Sequence, residues 1–420
     1  MRRFGLVMGV AAMVIAGTTI AHAQDAAEPA AGKPEPTIQP LALEFTESGF
    51  SGPGAETLRA EIADAQFIAI GEDHGFADAP DLIAAFASEG RATGFTNYAV
   101  EVGPWSTDWL REQLLSGGVE ALARSLTGRP LALPFLGQRR EANVALGFLD
   151  DGQLWGIDQE FIGSTQIHLD WFAERTEDGE ASETIRDWAS VDREAFASGN
   201  QQSVFMVTAG PEEWSYLRKI FADDAEALER VDALQTSQSI YLANFEGRGF
   251  DNNTARVALI REYFLKHYAE AKQRIGQPPR VLMKMGAVHV GAGTSPMKTF
   301  DIGSLIEGIA AENGMDVVRI AYLPVGGSQL GIRPSPDGIY AIQEVRDGEK
   351  LISDLAEAGI DMEVVTQGQS HFVIPLEPAR RNLGNAGLND ADDMFRFVML
   401  GFDYLVTTNN AQAATPLAER

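Results

Sequence analysis

Glu72 and His74 stand two residues apart in Gly71-Glu72-Asp73-His74-Gly75, directly after the apolar run Phe67-Ile68-Ala69-Ile70. Histidine titrates near neutrality and can take a proton from water; a nearby carboxylate can orient the ring and stabilise its charged form. Three further polar positions sit in the same kind of setting. Glu101 follows Asn97-Tyr98-Ala99-Val100. Asp158 follows Leu154-Trp155-Gly156-Ile157, with Gln159 and Glu160 beyond it. His289 follows Val281-Leu282-Met283-Lys284-Met285, inside Gly286-Ala287-Val288-His289-Val290-Gly291. Such a set supports attack by activated water. Alternatively, Glu72, His74, Glu101 and His289 could hold a divalent cation that activates the water.

Each position also has a plainer reading. Asp73 reads as a loop acid, and Asp158 could simply cap a helix. Glu101 needs a cationic partner if it is buried. His289 could be a turn residue, and an isolated histidine is commonly structural. Gly71 and Gly75 favour a functional His74, because glycine lets a ligand approach the backbone closely. His168 and His267 fall in helical stretches and read as surface or packing residues. His371 precedes a strand with no evident partner.

Convergence of these residues requires a sheet. Apolar runs at 67–70, 97–102, 153–158, 281–285 and 317–323 read as strands, and helical spacing recurs between them at 56–65, 79–89 and 105–115. That alternation predicts an α/β fold with a largely parallel central sheet flanked by helices. Carboxyl ends of parallel strands share one edge, where open α/β folds place ligands. From about 165 to 270 the spacing is helical, which predicts an insertion between two strands. Residues 326–361 are punctuated by Gly and Pro and resist assignment; 372–376 and 394–405 read as late elements.

The chain opens Met1-Arg2-Arg3, continues apolar from Phe4 and reaches Ala21-His22-Ala23. This reads as a secretory signal peptide over 1–23, cleaved after Ala23, giving a periplasmic or secreted protein. A tether rich in Ala, Pro and Glu follows over 24–40, then a single domain over 41–420. No second apolar stretch is long enough to span a bilayer, so no membrane span is expected after cleavage. The net charge of −27 disfavours nucleic acid and anionic membrane surfaces as partners. The absence of cysteine excludes disulfides, thiolate nucleophiles and Cys-type metal sites. There is no Gly-x-Ser-x-Gly, no His-Glu-x-x-His, no P-loop and no dinucleotide Gly-x-Gly-x-x-Gly. His/Glu chemistry on water remains.

Gly71-Glu72-Asp73-His74-Gly75 resembles the Gly-Glu-x-x-His-Gly or Gly-Glu-x-His signature of the erythromycin esterase-like superfamily. That group includes the ChaN-type haem-uptake proteins and, more remotely, the TraB/TIKI proteins. Glu101 matches the acid that ends the family's second strand, and Gly156-Ile157-Asp158-Gln159 resembles its Gly-Phe-Asp-x segment. Arg256, in Asn253-Thr254-Ala255-Arg256, looks like the arginine of its Arg-Asp-x-x-Met helix. His289 matches the second histidine of its His-Asn-x-His-Val turn. The motifs occur in the family's order across residues 67–291. Departures are Gly286 for the first histidine of that turn, Val257 and Ile260 in the arginine motif, and Ile83 where another arginine is expected.

The resemblance implies an α/β fold with a helical insertion and a site at the sheet edge. In the esterases it implies metal-independent hydrolysis of a macrolactone. Carried over, His74 is the base that activates water, Glu72 and Glu101 shape the site, and His289 supports it. Arg256 and Asp158 would bind the substrate, with Arg256 meeting an anionic group or the developing oxyanion. The expected substrate is a small ester, lactone or amide, with no cofactor required. A haem- or ligand-binding protein of the ChaN kind, without turnover, is the first alternative. Gly286-Ala287-Val288-His289 also looks like the Gly-x-x-His of the TIKI group, which implies a metal-dependent hydrolase or peptidase as the second.

Overall fold

The structure, a computed structural model, describes residues 37–129, 131–150, 153–335 and 338–417. The expected signal peptide and the expected tether up to residue 36 lie outside the described residues. Ile38, within the last stretch assigned to the tether, pairs with Ile360, and its N–H donates to Gly359 O at 2.8 Å.

The strands in chain order are β1 (Leu41–Thr46), β2 (Gly49–Ser51), β3 (Ala65–Glu72), β4 (Phe95–Val100), β5 (Leu154–Gly156), β6 (Arg280–Gly286), β7 (Asp316–Tyr322), β8 (Ser328–Ser335), β9 (Gly338–Val345), β10 (His371–Pro375) and β11 (Tyr404–Thr407). Nine form one sheet in the order β2-β1-β10-β11-β7-β3-β6-β4-β5; β8 and β9 form a separate hairpin. From β11 to β5 every pairing is parallel, while β10, β1 and β2 add an antiparallel flank. The protein is thus an α/β fold with a large, mostly parallel sheet flanked by helices.

β3 is buried at every position, as expected for a central parallel strand covered on both faces. Its side chains alternate between two cores. Ile68 and Ile70 pack with Tyr98, Val100 and Leu282 beneath the helices Asp78–Gly90 and Pro104–Leu126. Phe67 and Ala69 pack with Val281, Met283 and Phe264 on the opposite face. The same period of two sends Glu72 and Lys284 to the first face, in register through Ile70 opposite Lys284. Lys284 is 3% exposed, so the sheet carries a buried ammonium.

Between β5 and β6 the described chain forms only helices. Helices Thr165–Arg175, Gly179–Ala197, Pro211–Ile220 and Ala225–Phe245 share a core of their own, built on residues such as Leu169, Phe172, Ile185, Trp214 and Leu234. The next helix, Gly249–Ile275, instead returns to the sheet through Ile260, Phe264 and Tyr268. Residues 326–361, unassigned from sequence, contain the β8–β9 hairpin and the helix Glu349–Glu357. No helix among the described residues is long and apolar enough to cross a membrane.

Candidate active site

The strand ends deliver their polar residues to one edge. Glu72 is the last residue of β3, Glu101 directly follows β4, and His289 lies one short turn beyond β6. Ile157 N–H donates to Val100 O and Asp158 N–H to Val102 O, each at 3.2 Å. This extension of the β4–β5 pairing brings Asp158 beside Glu101. Arg256 arrives from the helix Gly249–Ile275. The structure therefore brings together all six residues singled out from sequence: Glu72, His74, Glu101, Asp158, Arg256 and His289.

Glu101 is the hub. Arg256 Nη2 donates to its Oε1 at 2.7 Å, and Gly286 N–H donates to its Oε2 at 2.6 Å. His289 Nε2 lies 3.4 Å from Oε1, and His74 Nε2 lies 3.6 Å from Oε2. Burial raises the pKa of the Glu101 carboxyl, but His289, His74 and Arg256 outweigh it and hold it well below the usual range. Arg256 also donates to Asp158 through Nε at 2.9 Å and Nη2 at 2.5 Å. Such a two-pronged pair fixes the plane of the guanidinium.

The two histidines differ in protonation because their partners differ. His289 is 2% exposed and sits between two acids, with Nδ1 2.7 Å from Asp301 Oδ2 and Nε2 near Glu101. Burial and the Arg256 charge push its pKa down, yet Glu101 and Asp301 prevail and raise it to about 9. His289 is accordingly an imidazolium at neutral pH. His74 is 38% exposed at its side chain, with Nδ1 3.0 Å from Glu72 Oε1. Burial lowers its pKa, but Glu101 and Glu72 together leave it above the ordinary histidine value.

Lys284, Glu141 and Asp301 were not singled out from sequence. Lys284 Nζ donates to Glu72 Oε1 at 2.5 Å and contacts Glu141 Oε1 at 2.8 Å. Burial works against its charge, but Glu141 and Glu72 raise its pKa well above the ordinary lysine value. Burial also disfavours the Glu72 carboxylate, yet Lys284 and His74 keep its pKa low. With Glu72 an acceptor only, Nδ1 of His74 must carry the proton, which leaves Nε2 as the basic nitrogen. One signal was readable: a lysine inside an apolar strand must find anionic partners if it is buried.

The readings of the two loop glycines and of His371 are corrected, whereas His168 and His267, read as surface or packing residues, are packing residues. Gly71 and Gly75 make room for protein rather than ligand. A Cβ on Gly71 would lie 2.7 Å from the Phe402 ring, and one on Gly75 (φ +92°) would lie 2.2 Å from Leu330 O. His168 is wholly buried, with Nε2 3.0 Å from Glu160 Oε2 and 3.3 Å from Ser106 Oγ. His267 stacks on Trp155 and pairs with Gly156 O at 3.2 Å. His371 has a partner after all, the Tyr322 hydroxyl at 3.2 Å. Gly286 has a steric reason: a Cβ there would lie 3.0 Å from His74 Nε2. Ile83, where the resemblance expects an arginine, is fully buried in the core.

Neither a family model nor a curated protein matches the sequence. In three dimensions the chain is similar to a mutant of the erythromycin esterase EreC in its open conformation, at 15% identity over 85% of this chain and 94% of that chain, TM-score 0.51. A Bacillus cereus protein aligns at 13% identity over 90% of this chain and 96% of that chain, TM-score 0.49. ChaN of Campylobacter jejuni, a haem-bound structure, aligns at 9% identity over 74% of this chain and all of that chain, TM-score 0.30. The nine-stranded, mostly parallel sheet with helices on both faces is accordingly an erythromycin esterase-like fold.

Proposed function

We propose that the protein is a hydrolase in which His74 activates water for attack on a small ester, lactone or amide. The observation that carries this reading is the held-but-open state of His74. Its Nδ1 is fixed by Glu72 at 3.0 Å, while the side chain is 38% exposed toward solvent. Neutral His74 takes a proton from water at Nε2 as the water oxygen bonds to the substrate carbonyl carbon. The same proton then passes to the leaving oxygen or nitrogen as the scissile bond breaks. Arg256, 24% exposed beside Glu101, supplies positive charge for the developing oxyanion.

Neither a divalent cation nor haem enters this reading. Lys284 and Arg256 already neutralise the carboxylates a cation would need. Among the described residues no group of three or more His, Asp or Glu could hold a metal. Both nitrogens of His289 already face carboxylates, so that ring presents no free nitrogen to haem iron.

The test is turnover of a panel of chromogenic esters, lactones and anilides. His74→Ala should lower kcat/KM by at least about 10²-fold while keeping the wild-type melting transition. The acid limb of the wild-type pH profile should have its midpoint above the ordinary histidine pKa of about 6.5. Near-wild-type activity in a folded His74→Ala protein would sink the proposal. Saturable ligand binding without turnover would favour the binding-protein reading. Export is part of the proposal; the mass of protein recovered from the periplasm or medium should match a chain beginning at Gln24.

A further inference from the structure

His74 has a partner that no sequence motif indicated. The Phe135 ring stacks on the imidazole with centroids 4.2 Å apart and planes 22° apart. The same ring lies 5.8 Å from Lys284 Nζ. Phe135 is half-buried, and its backbone is left-handed at φ +54°. Leu131, in the same loop, is also left-handed at φ +59°. Side chains other than glycine occupy that region at an energetic cost and persist only where the surroundings enforce it.

The segment after β11 is bonded to both loops. Toward the His74 loop, Ala77 N–H donates to Gln412 O at 2.8 Å and Ala414 N–H to Gly75 O at 2.9 Å. Toward the Phe135 loop, Arg139 N–H donates to Thr415 O and Leu417 N–H to Gly137 O, both at 2.9 Å. One extended segment thus clips together two loops that sit far apart in the chain.

We propose that Phe135 is a positioning residue for His74, held in its left-handed turn by residues 412–417. Glu72 fixes the imidazole edge at Nδ1, Phe135 covers one face, and the missing side chain at Gly286 leaves Nε2 uncrowded. The side chain still keeps 38% of its surface exposed. An aromatic face also attracts the protonated imidazole. It acts together with the charged groups around the ring: Glu72 at the end of β3, Glu101 beyond β4, Lys284 of β6 and Glu141 of the helix Arg139–Leu146.

This inference rests on the hydrolase reading, but its test is independent of turnover. In protein labelled at histidine, the His74 ring signals are assigned with His74→Gln and titrated by NMR. Phe135→Leu should remove the ring-current shift and lower the His74 midpoint by about 0.5 pH unit. Phe135→Tyr should restore both. Deletion of residues 412–420, and Ala414→Pro in the full-length chain, should reproduce the loss with β-sheet circular dichroism retained. Wild-type shift and midpoint in Phe135→Leu overturn the role of Phe135. An intact shift in both segment variants overturns the role of the clip. If these shifts change as expected while no ester, lactone or amide is cleaved, the positioning stands and the hydrolase reading fails.

Discussion

At the residue scale the site is a study in what partners do to identical side chains. His74 shares one Glu72 oxygen with a lysine and keeps an open face. His289 is closed between Asp301 and Glu101 and stays protonated. This difference predicts a pH signature. The folded pKa of His289, about 9, lies above its ordinary value of 6.5. Its stabilisation is therefore complete below about pH 6.5 and lost as pH rises through about 9. The contribution is on the order of 3 kcal/mol. The wild-type melting temperature should fall across that window, and His289→Asn should flatten the fall. Parallel profiles for the two proteins would show that the imidazolium does not hold the site together.

At the element scale the sequence located β3 to β7 but not β1 and β2, nor what crosses between the strands. The runs at 67–70 and 281–285 became β3 and β6, and their carboxyl ends carried the expected Glu72 and His289 to one edge. Apolar runs ending in polar residues are legible because a buried parallel strand allows few other sequences. Lys284 escaped notice because its meaning lies in register, which sequence does not display. Opposite Ile70 and one step from Glu72, it is the counter-ion of two buried acids. The β8–β9 hairpin escaped for a similar reason: it packs on the His74 loop through Gln329 Nε2, which donates to His74 O at 2.7 Å. Lys284→Met should destabilise the protein by about 3–5 kcal/mol, because Glu72 and Glu141 would remain buried without their cation. Adding Glu141→Gln should recover part of that loss. Denaturant unfolding measures both, and a Lys284→Met protein of wild-type stability would refute the buried triad.

At the scale of the whole molecule, helical spacing from about 165 to 270 announced an insertion, yet it could not say which helix belongs to which core. The structure divides them. Helices between Thr165 and Phe245 pack on one another around Leu169, Phe172 and Leu234, whereas Ile260, Phe264 and Tyr268 of the helix Gly249–Ile275 pack on the sheet. Arg256 is therefore anchored chiefly by the sheet core and by Asp158 of the β5 edge. Separate cores open with separate free energies. Native-state hydrogen exchange should show residues 165–245 opening well below the global unfolding free energy, while residues 257–271 exchange together with β3, β6 and β7. Added denaturant should then raise exchange in the insertion first. Arg256 should hold its bond to Glu101 while the insertion opens. Uniform protection across both groups of helices would mean one cooperative core in which Arg256 cannot outlast the insertion.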